Sequence, residues 1–233
     1  RKGCDWKYPV IIDNMMNLEL LLSMSKAYDD DSLQYIACTH ANTTIRNHFR
    51  DDYSTYHLVD YDPETGKVRH KQTVQGYSDE SSWSRGQAWA LYSYTMMFRI
   101  TGYQNYLLQA GHIADMLIRR LPADGIPYWD FDAPDIPNAL RDASAAAIMA
   151  SAFIELSHYI QRVEAKEAYL DMAEKQLRTL ASKEYLAEPG TNGNFILKHS
   201  VGSFPDKSEV DVPLTYADYY FLEALLRYKN LLK

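Results

Sequence analysis

Helical patterning that comes in pairs, each pair followed by a long loop, is the feature of this 233-residue chain that most limits its fold. Apolar residues recurring at three- and four-residue spacing predict helices over about 14–29, 32–51, 83–101, 103–120, 142–161, 164–182 and 214–231. The first helices of the pairs begin near 14, 83, 142 and 214. The period is therefore about 60 to 70 residues, one helical hairpin plus an insertion, which predicts a toroid of helical hairpins. The first helices are apolar and rich in small residues ("RGQAWALYSYTMMF", "DASAAAIMASAFIEL"), whereas the second carry more charge ("QNYLLQAGHIADMLIRR", "KEAYLDMAEKQLRTL"). A helix that is apolar all round is buried, and one with a polar face meets solvent. The contrast predicts an inner and an outer ring. Residues 1–233 supply three hairpins and one half, read as a single domain. A toroid of six would need about another 130 residues on the N-terminal side, so the chain is expected to be the C-terminal part of a longer barrel.

Local signals agree with this division. Asp31 and Asp142 are candidate helix N-caps, and Gly102 is a helix stop. The segment "STYHLVDYDPETGKVRHKQTVQGYSDESS" alternates around a "PETG" turn and predicts a short hairpin. The segments 121–138 and 183–213 read as long loops. A net charge of −7, with no basic block, argues against nucleic acid and membrane surfaces as partners. No apolar run is long enough to span a bilayer. Cys4 and Cys38 show neither metal spacing nor a CxxC pair, and read as two buried free thiols or one disulfide. His40 and His48 lie eight apart with no third ligand, so no metal site is read. No cofactor is expected.

Two places stand out chemically. Asp13 sits inside "YPVIIDNMMNLELL", where a carboxylate is costly unless it is paired, hydrogen-bonded or kept neutral. It reads either as the N-cap of the helix that follows or as a functional acid facing a cavity. The stretch "QGYSDESSWSRGQAW" places Gln75, Asp79, Arg85, Gln87 and two indoles just before and inside a helix. Arg85 near a helix start is electrostatically unfavourable unless an anion binds there. The other reading is a surface ion pair with Asp79 or Glu80. The 19 tyrosines suit either packing between helices or the apolar faces and hydroxyl rims of sugar rings.

The ordered set "IIDNMMNLELL", "YHLVDYDPETG", "QGYSDESSWSRGQAW", "YWDFD", "RDASAAAI" and "YADYYFLEALLRY" resembles the unsaturated glucuronyl hydrolases, glycoside hydrolase family 88, over essentially the whole chain. The resemblance implies an all-α (α/α)6 barrel. It also implies release of 4,5-unsaturated uronic acid from the non-reducing end of glycosaminoglycan-type oligosaccharides made by polysaccharide lyases. Carried over residue by residue, it places the general acid/base on Asp13 and substrate contacts on His57, Gln75, Arg85 and Trp89. The family's second aspartate, in an upstream His-Asp motif, has no match before Asp13. The expected partner is an unsaturated oligosaccharide, in a bacterial cytoplasm or periplasm, with the oligomeric state open. The alternatives are an unsaturated rhamnogalacturonyl hydrolase, a sugar epimerase-like toroid needing histidine pairs on inner helices, and a non-catalytic helical scaffold. Trp89, Tyr128 and Trp129 are expected to line a cleft where the three loops gather.

Overall fold

The computed structural model describes residues 4–233. Three helical hairpins and a seventh helix follow one another: α1 (Leu18–Tyr28) with α2 (Asp31–His48), α3 (Ser84–Thr101) with α4 (Gln104–Arg120), α5 (Ala143–Ser157) with α6 (Val163–Leu180), then α7 (Thr215–Leu231). Every residue of α5 is buried, as is α3 from Ser84 to Met97. Helix α4 buries one stripe through Tyr106, Gln109, Ala110, Ile113, Ala114 and Leu117, the three- and four-residue spacing of an outer helix. The alanines and serines of α5 let α3, α6 and α7 approach it closely. Helices α1, α3, α5 and α7 therefore form the inner layer, and α2, α4 and α6 the outer one. One continuous core runs between the layers. Among the described residues no helix is long and apolar enough to cross a membrane.

The helix ends follow local chemistry. Asp142 caps α5, accepting from the Ser144 and Ala145 amides at 3.0 and 3.4 Å. Gly102 ends α3 with φ +71°, its amide donating to the Phe98 carbonyl. The cap of α2 is Asp30 rather than Asp31, because Asp29 takes a left-handed turn and Asp30 accepts from the Ser32 amide at 2.9 Å. Both cysteines are free, and Cys4 is exposed rather than buried.

Two small sheets supplement the helices, and all three loops gather at the N-terminal rim of the inner layer. The hairpin expected around "PETG" is β2 (Leu58–Tyr61) and β3 (Val68–Gln72). A strand that the sequence reading did not find, β1 (Tyr8–Ile11), pairs antiparallel with β2, Ile11 opposite Leu58. The long 183–213 segment also holds a hairpin, β4 (Ser200–Ser203) with β5 (Ser208–Val212). Gln75 donates to the Gly202 carbonyl at 2.9 Å, the Tyr77 amide to Asp130 at 2.9 Å, and Ser84 to the Tyr128 carbonyl at 2.5 Å. Trp129 stacks on Phe204, ring centroids 4.6 Å apart.

Rim and inner helix are fitted tightly at Gly86, where an added Cβ would lie 2.9 Å from the Trp83 ring and 3.2 Å from Ile12. On the outer helix α4, a Cβ at Gly111 would meet nothing nearer than 3.9 Å. Gly111→Ala should therefore stabilise the protein by up to about 1 kcal/mol through helix propensity. Gly86→Ala should destabilise it by about 1–2 kcal/mol, overpacking outweighing the same gain. Urea unfolding midpoints of the two variants check the opposite signs.

Candidate functional site

Asp13 lies in the first turn of a 3-10 helix, Ile12–Asn17, that connects β1 to α1. It caps no helix: no side-chain cap bond forms there, and α1 begins only at Leu18. The flanking Ile12 and Met15 are fully buried, while the Asp13 side chain keeps 27% exposure. Burial pushes its carboxyl up to about 6. The field of Arg85, its own backbone amide and a hydrogen bond from the Trp89 side chain oppose this rise without cancelling it. An aspartic acid so placed exists in both protonation states near neutrality.

His57 faces it, Nε2 3.8 Å from Asp13 Oδ2. The two are held in register because the Ile12 amide donates to the His57 carbonyl at 2.9 Å, continuing the β1–β2 ladder. The amides of Val74 and Gln75 donate to His57 Nδ1 at 3.0 and 3.2 Å. Nδ1 is thus an acceptor, and the neutral ring carries its proton on Nε2. Burial, then Arg85, pushes the imidazole down to about 3, so it stays neutral. Among the described residues, neither Asp13 Oδ2 nor His57 Nε2, both buried atoms, has a hydrogen-bond partner. At 3.8 Å they are too far apart to satisfy each other. A ligand oxygen beside both would satisfy them, a donor for the carboxylate and an acceptor for the imidazole.

Arg85 is not a surface residue. It is 3% exposed and pairs with Asp142 at 3.1 Å; its other contacts are the carbonyls of Val201 and, at 2.7 Å, Gly202. The alternative partners lie elsewhere: Asp79 accepts from the Thr73 amide and Glu80 from the Tyr56 hydroxyl. The guanidinium stacks over Trp83 and approaches Tyr216. Trp89, 9% exposed, meets Tyr220 edge-on at 5.4 Å and tilts toward Tyr216 at 6.1 Å. Gln75 is part-buried and ties its loop to Gly202. Trp129 departs from expectation, because its stack on Phe204 leaves it 3% exposed and within the rim rather than open to a cleft. The structure adds Asp142, Tyr216 and Tyr220 to the residues that the sequence reading gathered here. Only the capping role of Asp142 was visible locally. Among the described residues no three His, Cys, Asp or Glu side chains are grouped to hold a metal ion.

Inner and outer helices paired in this order, with the loops gathered at the N-terminal rim of the inner layer, place the chain among the helical-hairpin toroids. The chain belongs to Glycosyl Hydrolase Family 88, whose model matches residues 5–229. It is 50% identical over 229 residues to an unsaturated glucuronyl hydrolase of Formosa agariphila, covering 97% of this chain and 56% of that protein. It is 36% identical over 223 residues to an unsaturated chondroitin disaccharide hydrolase of Streptococcus agalactiae, covering 95% of this chain and 56% of that protein. Among solved structures, an unsaturated glucuronyl hydrolase specific for heparin superposes with a TM-score of 0.95 at 49% identity, covering 99% of this chain and 62% of that one. The glucuronyl hydrolase of a Bacillus species gives 0.91 at 32% identity, with 98% and 61% covered. These relatives are (α/α)6 barrels. The chain spans somewhat more than half the length of the curated relatives it matches.

The raised carboxyl has a thermodynamic consequence. Between the ordinary aspartate value of 3.8 and about 6, the folded state holds a proton on Asp13 that the unfolded state has released. Stability from this group is complete below 3.8 and is lost as pH rises through about 6. Asp13→Asn removes the ionisation penalty and should stabilise the fold by about 1–2 kcal/mol at pH 8, discounted for partial exposure. At pH 4 the gain should be much smaller. Thermal unfolding of both proteins at the two pH values checks this.

Proposed function

We propose that this chain carries the catalytic carboxyl and much of the saccharide site of an unsaturated glucuronyl hydrolase, acting on lyase-generated oligosaccharides of the glycosaminoglycan type. The observation that carries the reading is the raised carboxyl of Asp13 facing the free Nε2–H of a neutral His57, beside the Trp89 indole. The names of the relatives point the same way, and one solved S. agalactiae relative is described as complexed with dGlcA-GalNAc6S. The inner helices α1, α3, α5 and α7 contain no histidine, which disfavours the epimerase alternative.

The chemistry follows from the substrate's vinyl ether, a C4=C5 bond with the ring oxygen on C5. Asp13 in its acid form gives its proton to C4, and positive charge develops at C5 and the ring oxygen. The carboxylate then accepts a proton from a water whose oxygen bonds to C5. The resulting hemiketal opens to a C5 ketone, and the exposed hemiacetal at C1 collapses to an aldehyde, releasing the aglycone. One water is consumed. One carboxyl that changes state near neutrality serves both proton transfers, so no pair of carboxylates at fixed separation is required of the kind that direct displacement at C1 uses. His57 donates to a substrate oxygen and does not titrate. Trp89 supplies an apolar ring, and Gln75 holds the loop that supplies His57 with its two amides.

Asp13→Asn should lower kcat by about 100- to 10,000-fold, followed as loss of the ultraviolet absorbance of an unsaturated disaccharide in the full-length protein. Wild-type turnover in heavy water should place one deuterium at C4 at early times, before enolisation next to the new ketone scrambles it. Near-normal turnover by Asp13→Asn would overturn the proposal.

A further inference from the structure

The carboxylate of Asp142 does two separate tasks. One oxygen caps α5, accepting from the Ser144 and Ala145 amides and the Ser144 hydroxyl. The other meets Arg85 Nη1 at 3.1 Å, in a pair whose side chains are 3% and 0% exposed. A guanidinium so buried needs a negative charge close by. Among the described residues its remaining contacts are neutral, the carbonyls of Val201 and Gly202 and the rings of Trp83 and Tyr216. The carboxyls placed to serve it are Asp142, in direct contact, and Asp13, which lies within its field.

We propose that Asp142 is a positioning residue for the reaction: as the dedicated counter-ion of Arg85, it leaves Asp13 free to hold the proton that it delivers. The inference rests on the reading of Asp13 as the acid. Without the charge on Asp142, the field of Arg85 falls uncompensated on Asp13 and draws it into the carboxylate form, which has no proton to give. The same neutralisation matters in the next step, since an unbalanced guanidinium would oppose positive charge developing at C5. Among the described residues the other polar groups around Asp13 do not replace Asp142. His57, before β2, is neutral, and Trp89, on α3, is uncharged. The Tyr216 hydroxyl, on α7, is pushed up to about 12 and is uncharged near neutrality; Glu209, on β5, acts on Tyr216.

Asp142→Asn tests this because Asn caps a helix as well as Asp does but carries no charge. In the full-length protein the basic limb of kcat/KM against pH should move down by about one unit. The 13C titration of the Asp13 carboxyl, assigned by difference against Asp13→Asn, should move with it. Adding Arg85→Gln to Asp142→Asn should return the carboxyl midpoint to the wild-type value or above. A purely structural role would lower activity without moving either midpoint, and that result would overturn the proposal. If Asp142→Asn does not fold, the double variant, which leaves no buried charge unpaired, decides alone: an Asp13 midpoint below wild type would sink the idea. Activity retained by Asp13→Asn would refute the proposed function, while the 13C titration would still report on the Asp142 coupling by itself.

Discussion

The rim of this protein is organised around one buried ion pair, Arg85 with Asp142. Burying either charge alone would cost several kcal/mol, and the pair is tolerable because each partner also makes further hydrogen bonds. Arg85 stands in the first turn of α3, Asp142 at the start of α5, and the carbonyls of Val201 and Gly202 on β4 complete the cradle. Two inner helices and the hairpin of the third loop are thereby fixed relative to one another at one point. The loops join the same assembly, since Gln75 also donates to Gly202 and Ser84 donates to the carbonyl of Tyr128.

Around that point the buried ion pair and the partly exposed carboxyl occupy separate surroundings. The permanent cation is sealed in protein and neutralised. The titrating group, Asp13, keeps an opening to solvent. The imidazole opposite is held neutral by burial and fixed as a donor by two backbone amides. Each arrangement depends on backbone groups as much as on side chains. The loop from Thr73 to Gly76 therefore contributes more to the geometry of the site than its side chains suggest.

Much of the architecture was legible in the chain. The contrast between alanine-rich and charged helices identified inner and outer layers, because burial on all sides admits few charges whereas a one-sided helix requires them. The start of α5 was readable from its cap, Asp142, and the end of α3 from Gly102, while the starts of α3 and α7 came from apolar periodicity. What escaped was non-local. Strand β1 is four residues long and acquires its identity from a partner some fifty residues on, so "YPVI" carries no strand signal of its own. For Asp13 the chain left a cap and a functional acid both open, because an aspartate before a helical pattern suits a cap and the intervening 3-10 turn has no distinct sequence signature. Arg85 looked like a surface residue because its local neighbours are acidic, while its actual partner is 57 positions away. The candidate residues Asp13, His57, Gln75, Arg85 and Trp89 were selected by resemblance to a family, and the fold supplies the reason that they lie at one rim.

The antiparallel pairing of β1 with β2 also separates what is fixed from what is free. Asp13 and His57 are set by the end of the ladder at Ile11 and Leu58, whereas the opposite end of β2 runs into an exposed turn over 63–67. Asp62 closes that turn by accepting from the Glu64 and Thr65 amides, and Gly66 takes the left-handed conformation it needs. Four strand residues, about 13 Å of chain, lie between the turn and the histidine. A fluorophore, affinity tag or surface linker attached at the turn would therefore leave the distance between the two site residues unchanged, giving a handle for tethering the protein without touching its chemistry.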